Sequence, residues 1–589
     1  MSRPLVAALL PVLLAMITGA QADTVYVNPV CGNDAWTGVN AVCEAPDGPK
    51  ATIQAGIATA SDGDEVILAD GVYIGERNRE LSYDGKAITV RSGSGDVLAC
   101  IIDCERSGRG FEFTSGEGPT SVLANLTIRH GESYGGTVYC DAASPTLVNC
   151  RIVYSRADNG GGLRCDDGAC PALTNCFVAD NYGSYGGGIC CTHGSGPTLT
   201  DCVVRSNIAA YGAGVWCDDG CDPLLTNCLL VGNYGGDFGA GISCHDSNPT
   251  LVDCTIAGNN AFYAGGAVHC YSGSPTLINC TILKNLSGSG GGIYARLGSS
   301  PVFINCAIIA NVCSNRGGGL FCENSVASMT NCLIAGNVAM FGGGLDCFSG
   351  ADATLSNCTI AGNTASDLGG GLRCYEATPT LTNCIVWANV PNEITAEWCS
   401  PVIAFSDIQG GWSGVGNIDA DPLFVDLDGE DDDPNTWSDN DCHIAAGSPC
   451  IDAGNNAVVP ADAWDIDGDG DEDEPTPFDL DGVARFRDDP TVADTGWGTP
   501  PLVDLGAYEF QPVTPPLCAG DLNCDGAVDY DDIDPFVAAL TCIGGDPACW
   551  PAAGAPMACP WLSGDCDGDD DVTYADIDGF VDRIGASCP

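Results

Sequence analysis

The sequence predicts an all-β protein whose main body is a single-stranded parallel β-helix with about 26 residues in each coil. The first observation is a column of ten cysteines that recur at this constant spacing, without an insertion or deletion. A second cysteine column of nearly the same regularity alternates with it. A fixed period of this length is typical of a solenoid, in which each coil packs on its neighbours. The first column is Cys150, Cys176, Cys202, Cys228, Cys254, Cys280, Cys306, Cys332, Cys358 and Cys384, and the second is Cys140, Cys165, Cys191, Cys217, Cys244, Cys270, Cys322, Cys347, Cys374 and Cys399, with Ala295 in its one gap.

Leucine-rich repeats are a competing solenoid, because the string L-x-x-C-x-I-x-x-N resembles their strand segment and the period lies within their range. The rest of the unit argues against them. A glycine triplet, an alternating L-x-C and then Ser-x-Pro-Thr stand where such a repeat needs a helix, and glycine runs and proline break helices. The unit therefore predicts three short strands joined by turns, which make one coil of a β-helix.

Asparagines are expected at two corners of the coil, and the glycine triplets at the third. Leu147 and Cys150 are three residues apart, so both side chains can point inward only if the chain bends between them. Asn149 tolerates the left-handed conformation that such a bend needs. Stacked amides of successive coils can then hydrogen-bond along the axis. The first corner column is Asn149, Asn175, Asn227, Asn279, Asn305, Asn331, Asn357 and Asn383 with Asp201 and Asp253, and the second is Asn181, Asn207, Asn233, Asn259, Asn285, Asn311, Asn337, Asn363 and Asn389.

The cysteine columns leave three interpretations open. Neighbouring coils bring Cα atoms within disulfide range, but parallel side chains lie alongside one another rather than face to face. Bridges between the two columns across the interior are a second arrangement, and buried thiols that act as small apolar side chains are a third. The chain has 37 cysteines, an odd number, so at least one thiol is unpaired or pairs with another chain. The sequence has no paired C-x-x-C modules, which argues against a cysteine metal site.

Residues 50–60 are expected to form a short helix that caps the first coil, because Ile53 and Ile57 fall on one helical face. This segment and the later coils resemble the right-handed β-helices of the pectate-lyase-like superfamily. The Gly-Gly-Gly-[LI] and I-x-x-N phrases also resemble the repeats of chlamydial polymorphic outer-membrane proteins, an adhesin family. The resemblance covers about residues 24–410 and implies a right-handed single-stranded parallel β-helix over 23–410.

The charge balance and the first residues narrow the class of function. Lys and Arg total 20 while Asp and Glu total 78, a formal net charge of −58, which repels nucleic acid and anionic membranes and attracts cations such as Ca²⁺. Residues 1–22 have the basic start, apolar run and small-x-small site of a signal peptide. No later stretch approaches the roughly 18 apolar residues of a membrane span. We therefore expect an exported protein, secreted or at the cell surface, where disulfides persist.

Residues 411–510 are expected to close the β-helix as an acidic segment, followed by a stiff proline-rich linker at 511–517. The phrases HIAAGSPCIDAGNN and VDLGAYEF in this segment resemble the closing segments of secreted planctomycete β-helix proteins.

One loop of the closing segment is a candidate calcium site. Asp465, Asp467 and Asp469 have the alternating oxygen ligands of a calcium loop, with a glycine directly after them. Asp473 falls at the ninth position, but Thr476 stands at the twelfth, where a carboxylate is expected. An acidic, solvated loop without an ion is the alternative.

Residues 518–589 contain two copies of a calcium-loop pattern, and each runs into a helical apolar stripe. The pair resembles a type I dockerin, which implies a small α-helical, EF-hand-like module that binds calcium and attaches to a cohesin-like protein or cell-envelope component. Asp570 stands where the second loop should have glycine, and a structural anchor or cap is the alternative. The expected ligands are Asp521, Asn523, Asp525, Asp529, Asp532, Asp565, Asp567, Asp569, Thr573 and Asp576.

One outward face of the coils is a candidate surface for binding sugars. In the phrase G-G-G-L-x-C-x, Leu and Cys point inward, so the flanking positions point outward. Aromatic rings beside polar groups on that face form a platform suited to sugar rings. Ordinary pairs between neighbouring coils, such as Asp346 with Arg373, are the structural alternative. The densest part of the face is His269, Tyr271, Tyr294, Arg296, Phe321, Glu323, Asp346, Phe348, Arg373 and Tyr375.

Together these features predict an exported, calcium-binding, non-catalytic β-helix protein that acts in adhesion or polysaccharide binding. A polysaccharide lyase or glycoside hydrolase of the pectate-lyase-like fold is the alternative. The hydrolase motifs of that superfamily are absent from the sequence, and no Arg or Lys stands beside a clear carboxylate cluster. Since function follows from a site rather than from a fold, this favours binding over catalysis.

Overall fold

The computed structural model describes residues 23–427, 429, 440–489 and 492–511, and the backbone of two short strands, Ala527–Val528 and Ala586–Ser587. The chain divides into a unit that ends at Phe510 and a second unit, Gln511–Pro589. In the second unit the two short strands pair in antiparallel fashion. The expected signal peptide, linker and dockerin-like calcium ligands lie outside the described residues, apart from Gln511. Within the described part of the chain, no helix has the length and apolar character that a membrane span requires.

The first unit is an all-β solenoid of about 13 coils, with about 26 residues in each coil. Each strand pairs in parallel with the equivalent strand of the next coil. The strands at one position of successive coils therefore form a sheet that runs along the axis. There are four such positions, and we number the sheets in the order in which one coil passes through them.

Sheets 1 and 2 flank the first asparagine corner. Asn149 turns the chain between them with φ of 49°, and the other members of its column share this left-handed conformation, as expected. Sheet 1 contains Thr24–Val27, Glu65–Leu68, Thr89–Ser92, Val122–Ala124, Thr146–Val148, Ala172–Thr174, Thr198–Thr200, Leu224–Thr226, Thr250–Val252, Thr276–Ile278, Val302–Ile304, Ser328–Thr330, Thr354–Ser356, Thr380–Thr382 and Val402–Ala404. Sheet 2 contains Gly71–Tyr73, Cys100–Asp103, Thr127–Arg129, Arg151–Val153, Phe177–Ala179, Val203–Arg205, Leu229–Val231, Thr255–Ala257, Thr281–Leu283, Ala307–Ile309, Leu333–Ala335, Thr359–Ala361, Ile385–Trp387 and Asp407–Ile408.

Sheet 3 shows that the prediction of three strands in every coil is wrong. A fourth short strand forms in many coils between the second asparagine corner and the glycine triplet. Many of its residues are Ala, Gly or Ser, which have little strand preference, so the sequence pattern did not reveal it. Sheet 3 has a two-stranded part, Glu132–Gly135 and Arg156–Asn159, and a seven-stranded part, Ile208–Tyr211, Tyr234–Phe238, Asn260–Ala261, Leu286–Ser287, Val312–Cys313, Val338–Phe341 and Thr364–Leu368.

Sheet 4 follows the glycine triplet. The first glycine of the triplet turns the chain with a positive φ, 65° at Gly160, which costs a glycine little. The second cysteine column lies in this sheet from Cys140 to Cys374, and Cys217 stands in register with Cys244 of the next coil. Sheet 4 contains Leu81–Ser82, Phe111–Phe113, Val138–Asp141, Leu163–Asp166, Ile189–Cys191, Val215–Asp218, Ile242–His245, Val268–Tyr271, Ile293–Arg296, Leu320–Glu323, Leu345–Phe348, Leu372–Tyr375 and Ile394–Glu397.

Columns of Leu, Ile, Val and Cys fill the interior and have almost no exposed surface. Among the described residues, the disulfides are Cys31–Cys43 and Cys374–Cys399. The second of these joins neighbouring coils, but Cys399 is not a member of the column as predicted, since Ala396 pairs with Cys374 and Cys399 lies beyond the end of its strand. The other described cysteines are free thiols, all buried except Cys170. Within the described residues, the two columns are therefore mainly buried thiols that act as small apolar side chains, and no bridge crosses the interior between them.

The second asparagine column forms a buried ladder. The backbone N–H and the side-chain amide of Asn259 both donate to Oδ1 of Asn285, at 2.9 and 3.0 Å. The amide of Asn285 donates in turn to the backbone oxygen of Ile256 and to Oδ1 of Asn311, both at 2.9 Å. The pattern repeats through the column, so the expected hydrogen bonding along the axis is confirmed.

The N-terminal end of the solenoid carries a helix, α1 (Ile53–Thr59), inside the segment predicted to be helical. Ile53 and Ile57 face the core and have no exposed surface. Thr52 caps the helix, because its hydroxyl oxygen accepts the backbone N–H of Ala55 at 3.3 Å. Single turns of 3₁₀ helix occur at Glu76–Asn78 and Asn456–Val458.

The closing segment packs against sheet 2 and the first asparagine corner. It contains a short antiparallel pair, Phe424–Asp426 with Asp441–Ile444. Fully buried Arg485 donates to Oδ1 of Asn331 at 2.9 Å, and Asn383 exchanges hydrogen bonds with the backbone of Asn455 at 2.8 and 3.1 Å. The corner asparagines thus have a second role, since they attach this segment to the coils.

Candidate functional site

Outward side chains of successive coils line the outer side of sheet 4, beside the ends of the sheet 3 strands, and we name this surface the groove. In the seven sheet 4 strands from Val215–Asp218 to Leu372–Tyr375 there are two outward positions, and the one nearer the start of the strand is buried while the one at its end is half-exposed. We name the half-exposed series the outer track. The buried series is Trp216, Ser243, His269, Tyr294, Phe321, Asp346 and Arg373, and the outer track is Asp218, His245, Tyr271, Arg296, Glu323, Phe348 and Tyr375.

The prediction that the ten candidate residues share an exposed face is wrong for half of them. Side chains at the ends of the sheet 3 strands cover the first outward position. The Phe238 ring, for example, stacks on His269 with 4.9 Å between the ring centroids. The buried candidates are His269, Tyr294, Phe321, Asp346 and Arg373, each at most 7% exposed. The half-exposed candidates are Tyr271, Arg296, Glu323, Phe348 and Tyr375.

Aromatic rings contact one another along the groove over several coils. Tyr185 stacks on Tyr211 with centroids 5.1 Å apart, and Trp216 lies 5.2 Å from the Tyr185 ring. Further along, His245 stacks on Tyr271 at 4.8 Å. Other stacked pairs are Tyr294 with Phe321 at 4.9 Å and Phe348 with Tyr375 at 5.1 Å. The groove therefore has a largely aromatic floor.

A buried carboxylate holds the far end of the groove together. Asp346 has no exposed surface and forms ion pairs with Arg316 and Arg373, both at 3.3 Å. Burial raises the pKa of Asp346 to about 6, although both guanidinium groups act to lower it. Arg373 also pairs with Glu397 at 2.6 Å. Asp346 and Arg373 are thus partners across neighbouring coils, as the structural alternative predicts.

Arg296 and Glu323 occupy the middle of the outer track. The guanidinium of Arg296 lies over the Tyr271 ring, 4.8 Å from its centroid, a cation–π arrangement. The Tyr294 hydroxyl donates to the Glu323 carboxylate. Both charged groups are therefore held in place by aromatic neighbours, and both are half-exposed.

A pocket of about 410 Å³ opens at the first coils of the groove. Burial, with a smaller contribution from the charge of Arg296, lowers the pKa of His245 to about 4. The ring is therefore uncharged at neutral pH, and its buried Nε2 has no hydrogen-bond partner among the residues described. The pocket is lined by Asn159, Tyr185, Thr192, Tyr211, Trp216, Asp218 and His245.

Two carboxylates on the same outward column have pKa values shifted in opposite directions. Burial raises the pKa of Asp218, and neighbouring carboxylates add to the shift. Asp166 lies two coils earlier. Burial acts to raise its pKa as well, but hydrogen bonds with His193 and Thr192 outweigh burial and hold the pKa below its ordinary value.

The acidic loop of the closing segment brings together more carboxylates than its spacing predicts. One oxygen each of Asp465, Asp467 and Asp469 lie within 4.8 Å of one another, so the three predicted ligands are close in space. Asp467 also belongs to a second group of the same size with Asp462 and Glu474. The two groups therefore form one patch of five carboxylates.

Asp462 and Glu474 place two further carboxylates beside the loop, whose twelfth position lacks a carboxylate. Thr476 is buried, and its hydroxyl donates to the backbone oxygen of Pro460 at 2.9 Å instead of facing the loop. Asp462 is 1% exposed, and no described residue hydrogen-bonds to its Oδ1. Oε1 of Glu474 is likewise buried and unpartnered. Buried carboxylate oxygens without donors are expected to bind a cation, and an all-oxygen set suits Ca²⁺.

The family model of the right-handed β-helix region matches residues 67–207, 117–282 and 266–406. Together the matches span more than half of the chain. The chain belongs to the right-handed β-helix family. The right-handed coiling that the resemblance implied is thereby confirmed. A comparison with curated proteins finds no match.

Several solved structures are similar to this right-handed β-helix. A pectate lyase, Pel9A, is 13% identical, with 84% of this chain and 97% of that chain covered and a TM-score of 0.30. Tailspike protein 3 of bacteriophage CBA120 is 12% identical, with 61% and 57% covered and a TM-score of 0.37. A rhamnogalacturonan lyase is 13% identical, with 69% and 91% covered and a TM-score of 0.31. At these TM-scores the likenesses add nothing to the fold already described.

Sequence reasoning missed the aromatic residues that sheet 3, and an isolated bridge at Tyr185 beside it, contribute to the groove of the β-helix. Each of them directly precedes the first glycine of a triplet, or the glycine at the equivalent position of its coil, where the chain turns into sheet 4. This pattern could have been read from the sequence. The side chain at that position is therefore brought beside the first outward position of the following strand. These residues are Tyr185, Tyr211, Phe238 and Phe341.

Proposed function

We propose that this chain is an exported, calcium-binding, non-catalytic β-helix protein that binds a polysaccharide along the groove of sheet 4 and acts in adhesion. The outer track carries the proposal, because half-exposed aromatic rings and polar side chains follow one another there over successive coils. Aromatic rings pack on the apolar faces of sugars, while neighbouring polar groups fix the orientation of a ligand.

The length of the groove suits a chain-like ligand. The outer track covers seven coils from Asp218 to Tyr375, which is roughly 30 Å at about 4.8 Å per coil. The spacing of its side chains follows the spacing of the coils. A polysaccharide that lies parallel to the axis can therefore place successive sugars over successive coils.

The charges of the groove favour a neutral polysaccharide. The carboxylate of Asp346 is neutralised by Arg316 and Arg373, and His245 is uncharged at neutral pH. The net charge of −58 also opposes the approach of a polyanion. Because burial lowers the pKa of His245 to about 4, this ring stays uncharged, and its contribution to affinity should not change between about pH 6 and about pH 8.

Tyr271→Ala is expected to weaken polysaccharide binding about tenfold or more, which is roughly 1.4 kcal/mol. Tyr271 presents a half-exposed ring that His245 supports by stacking and that Arg296 covers in part. Removing the ring takes away the surface on which a sugar packs. The measurement is isothermal titration calorimetry of the full chain with a panel of neutral and acidic polysaccharides.

Tyr234→Ala is the matched control, because Tyr234 is an exposed tyrosine at the opposite end of its sheet 3 strand from the groove residue Phe238. Its affinity should equal that of the wild type. Equal losses in the two variants would contradict the proposed site, and a wild-type chain that binds no polysaccharide of the panel would contradict the proposed function.

A glycoside hydrolase is the second candidate, and one observation favours it. Asp218 and Asp166 lie on one outward column with their pKa values moved apart, as an acid and a base for glycoside hydrolysis require. New reducing ends released from a bound polysaccharide, and abolished by Asp218→Asn, would establish the hydrolase. Binding without product release would establish the binding protein.

For the acidic loop we propose Ca²⁺, held by Asp462, Asp465, Asp467, Asp469 and Glu474. The support is the close approach of their oxygens and the two buried oxygens that lack donors. Calcium takes six to eight oxygen ligands and tolerates irregular geometry, which suits a loop whose spacing departs from the usual pattern at its end.

Asp467→Asn is expected to remove about one calcium per chain, because Asp467 belongs to both carboxylate groups of the loop. Equilibrium dialysis of the full chain against CaCl₂, followed by elemental analysis, measures the bound calcium. Asp473→Asn is the control, since Asp473 lies in the same loop but in neither group. Equal calcium content in the two variants would contradict the loop site.

Attachment through residues 518–589 to a cohesin-like protein or a cell-envelope component is also a proposal. It rests on the doubled ligand pattern that begins at Asp521 and Asp565. Export rests on the signal-peptide pattern of residues 1–22.

A further inference from the structure

The closing segment contains another carboxylate group, made of residues that the sequence analysis did not connect. One oxygen each of Asp452, Asp488 and Asp494 lie within 4.8 Å of one another. Asp452 has no exposed surface, whereas Asp488 and Asp494 are exposed. A fully buried carboxylate thus faces two carboxylates that reach in from the surface.

Among the residues that the structure describes, half of the Asp452 carboxylate lacks a donor. Its Oδ2 accepts the backbone N–H of Asp489 at 3.3 Å. Its Oδ1 is buried and has no hydrogen-bond partner in the described part of the chain. A buried carboxylate oxygen without a partner is costly and rare in folded proteins, so the group requires something that this arrangement of oxygens can bind.

We propose that Asp452, Asp488 and Asp494 bind a divalent cation, and that the cation is Ca²⁺. Two oxygens on one calcium at about 2.4 Å can be no more than about 4.8 Å apart, and the three carboxylates meet this limit. The group has neither nitrogen nor sulfur ligands, which zinc prefers. Two of the three ligands are open to solvent, so water molecules complete the coordination.

The backbone around Asp452 explains why the group has this shape. The backbone oxygen of Asp452 accepts the N–H groups of Thr495 and Gly496, both at 3.0 Å, which holds the neighbouring Asp494 beside it. The backbone N–H of Asp452 donates to Oδ1 of buried Asp504 at 2.7 Å. The position of the Asp452 carboxylate is therefore set by main-chain contacts that exist without an ion.

A cation at this position would join two stretches of the closing segment that are distant in sequence. Asn455, three residues after Asp452, exchanges hydrogen bonds with Asn383 at the corner of the β-helix. Calcium at Asp452 therefore tightens the part of the segment that is attached to the coils. This role is independent of the acidic loop, which shares no ligand with it.

The test is the number of calcium ions bound by the full chain after dialysis against CaCl₂. Asp488→Asn/Asp494→Asn is expected to bind about one calcium fewer than the wild type and to show a smaller rise in melting temperature on calcium addition. Both residues are exposed, so the variant keeps the buried core intact. Asp467→Asn reports on the acidic loop separately, and the two losses should add in the combined variant.

Asp180→Asn/Asp367→Asn is the matched control, because it removes the same charge from two exposed aspartates outside every carboxylate group found in the described residues. It should keep the wild-type calcium content. The proposal is overturned if Asp488→Asn/Asp494→Asn binds as much calcium as this control, or if both variants lose calcium equally, since charge alone would then explain the loss.

Discussion

Arg485→Leu should lower the free energy of unfolding by about 3–5 kcal/mol, because it leaves buried carboxylates without their cation. Arg485 has no exposed surface. Its guanidinium pairs with Glu509 at 3.5 Å and donates to the backbone oxygen of Gly506 at 2.6 Å and to Oδ1 of Asn331 at 2.9 Å. The substitution therefore also detaches the closing segment from the asparagine corner. Urea unfolding of the full chain, followed by circular dichroism, measures the change.

The pH dependence of the stability loss in Arg485→Leu distinguishes the loss of charge pairing from the loss of packing. Burial raises the pKa of Glu509 well above its ordinary value and that of Asp504 to about 7, and Arg485 opposes both shifts. A carboxyl with a raised pKa contributes stability that is full below its unfolded value of about 4 and is lost as the pH rises through the folded value. Without Arg485 the carboxyls ionise at greater cost, so the loss should be larger at about pH 8 than at about pH 5.

Arg77→Leu is the control, because Arg77 is 61% exposed and its ion pair with Asp34 lies at the surface. It should cost less than about 1 kcal/mol. Glu509→Gln added to Arg485→Leu should recover part of the loss, since it removes one uncompensated charge. Losses of equal size at both pH values would contradict the charge argument and leave packing as the cause.

The repetitive part of the fold was predictable because each coil repeats the same local constraint. The step of three between Leu147 and Cys150 requires a bend, and Asn149 makes it with a left-handed conformation. The same constraint returns once in every coil, so a pattern that would be weak once becomes strong over ten coils. The same argument places the cysteines at repeated core positions, but it left open whether they are bridged or free, which the structure decides for the described residues.

The groove was only partly predictable. The alternation of side chains along a strand shows which side of the strand a residue occupies, but it does not show which other side chains cover that residue. Trp216 and His269 do point away from the interior, as expected, yet both are buried. Their cover comes from sheet 3, whose short strands contain many Ala, Gly and Ser residues, which have little strand preference. Tyr211 and Phe238 in that sheet were therefore not placed beside them.

The carboxylate sites show a second limit of sequence reasoning. The spacing of Asp465, Asp467 and Asp469 is local and could be read directly. Asp462 precedes the expected loop, and Glu474 falls at none of its usual ligand positions. Asp452 and Asp488 are far apart in the sequence, so that only the path of the folded chain brings their oxygens together.

Asn285→Ala should cost about 3 kcal/mol or more, because it interrupts the buried asparagine ladder in its middle. The backbone N–H and side-chain amide of Asn259 both lose the Oδ1 acceptor of Asn285, and the backbone oxygen of Ile256 loses its donor. Each buried polar group left without a partner costs about 1–3 kcal/mol. Asn285 has no exposed surface, so water cannot take over these hydrogen bonds without opening the coil.

Asn285→Asp tests the hydrogen bonding with almost no change of shape. It keeps the acceptor for Asn259 but replaces the amide donor with a carboxylate oxygen that faces the backbone oxygen of Ile256 and Oδ1 of Asn311. We expect a loss at least as large as that of alanine at neutral pH, and a smaller one at low pH, where the carboxyl is protonated. Asn315→Ala, at an exposed asparagine with one 3.4 Å hydrogen bond, should cost less than about 0.5 kcal/mol. If Asn285→Ala were as mild as Asn315→Ala, the ladder would not stabilise the solenoid, and apolar packing of the cysteine, leucine and isoleucine columns would have to hold the coils in register.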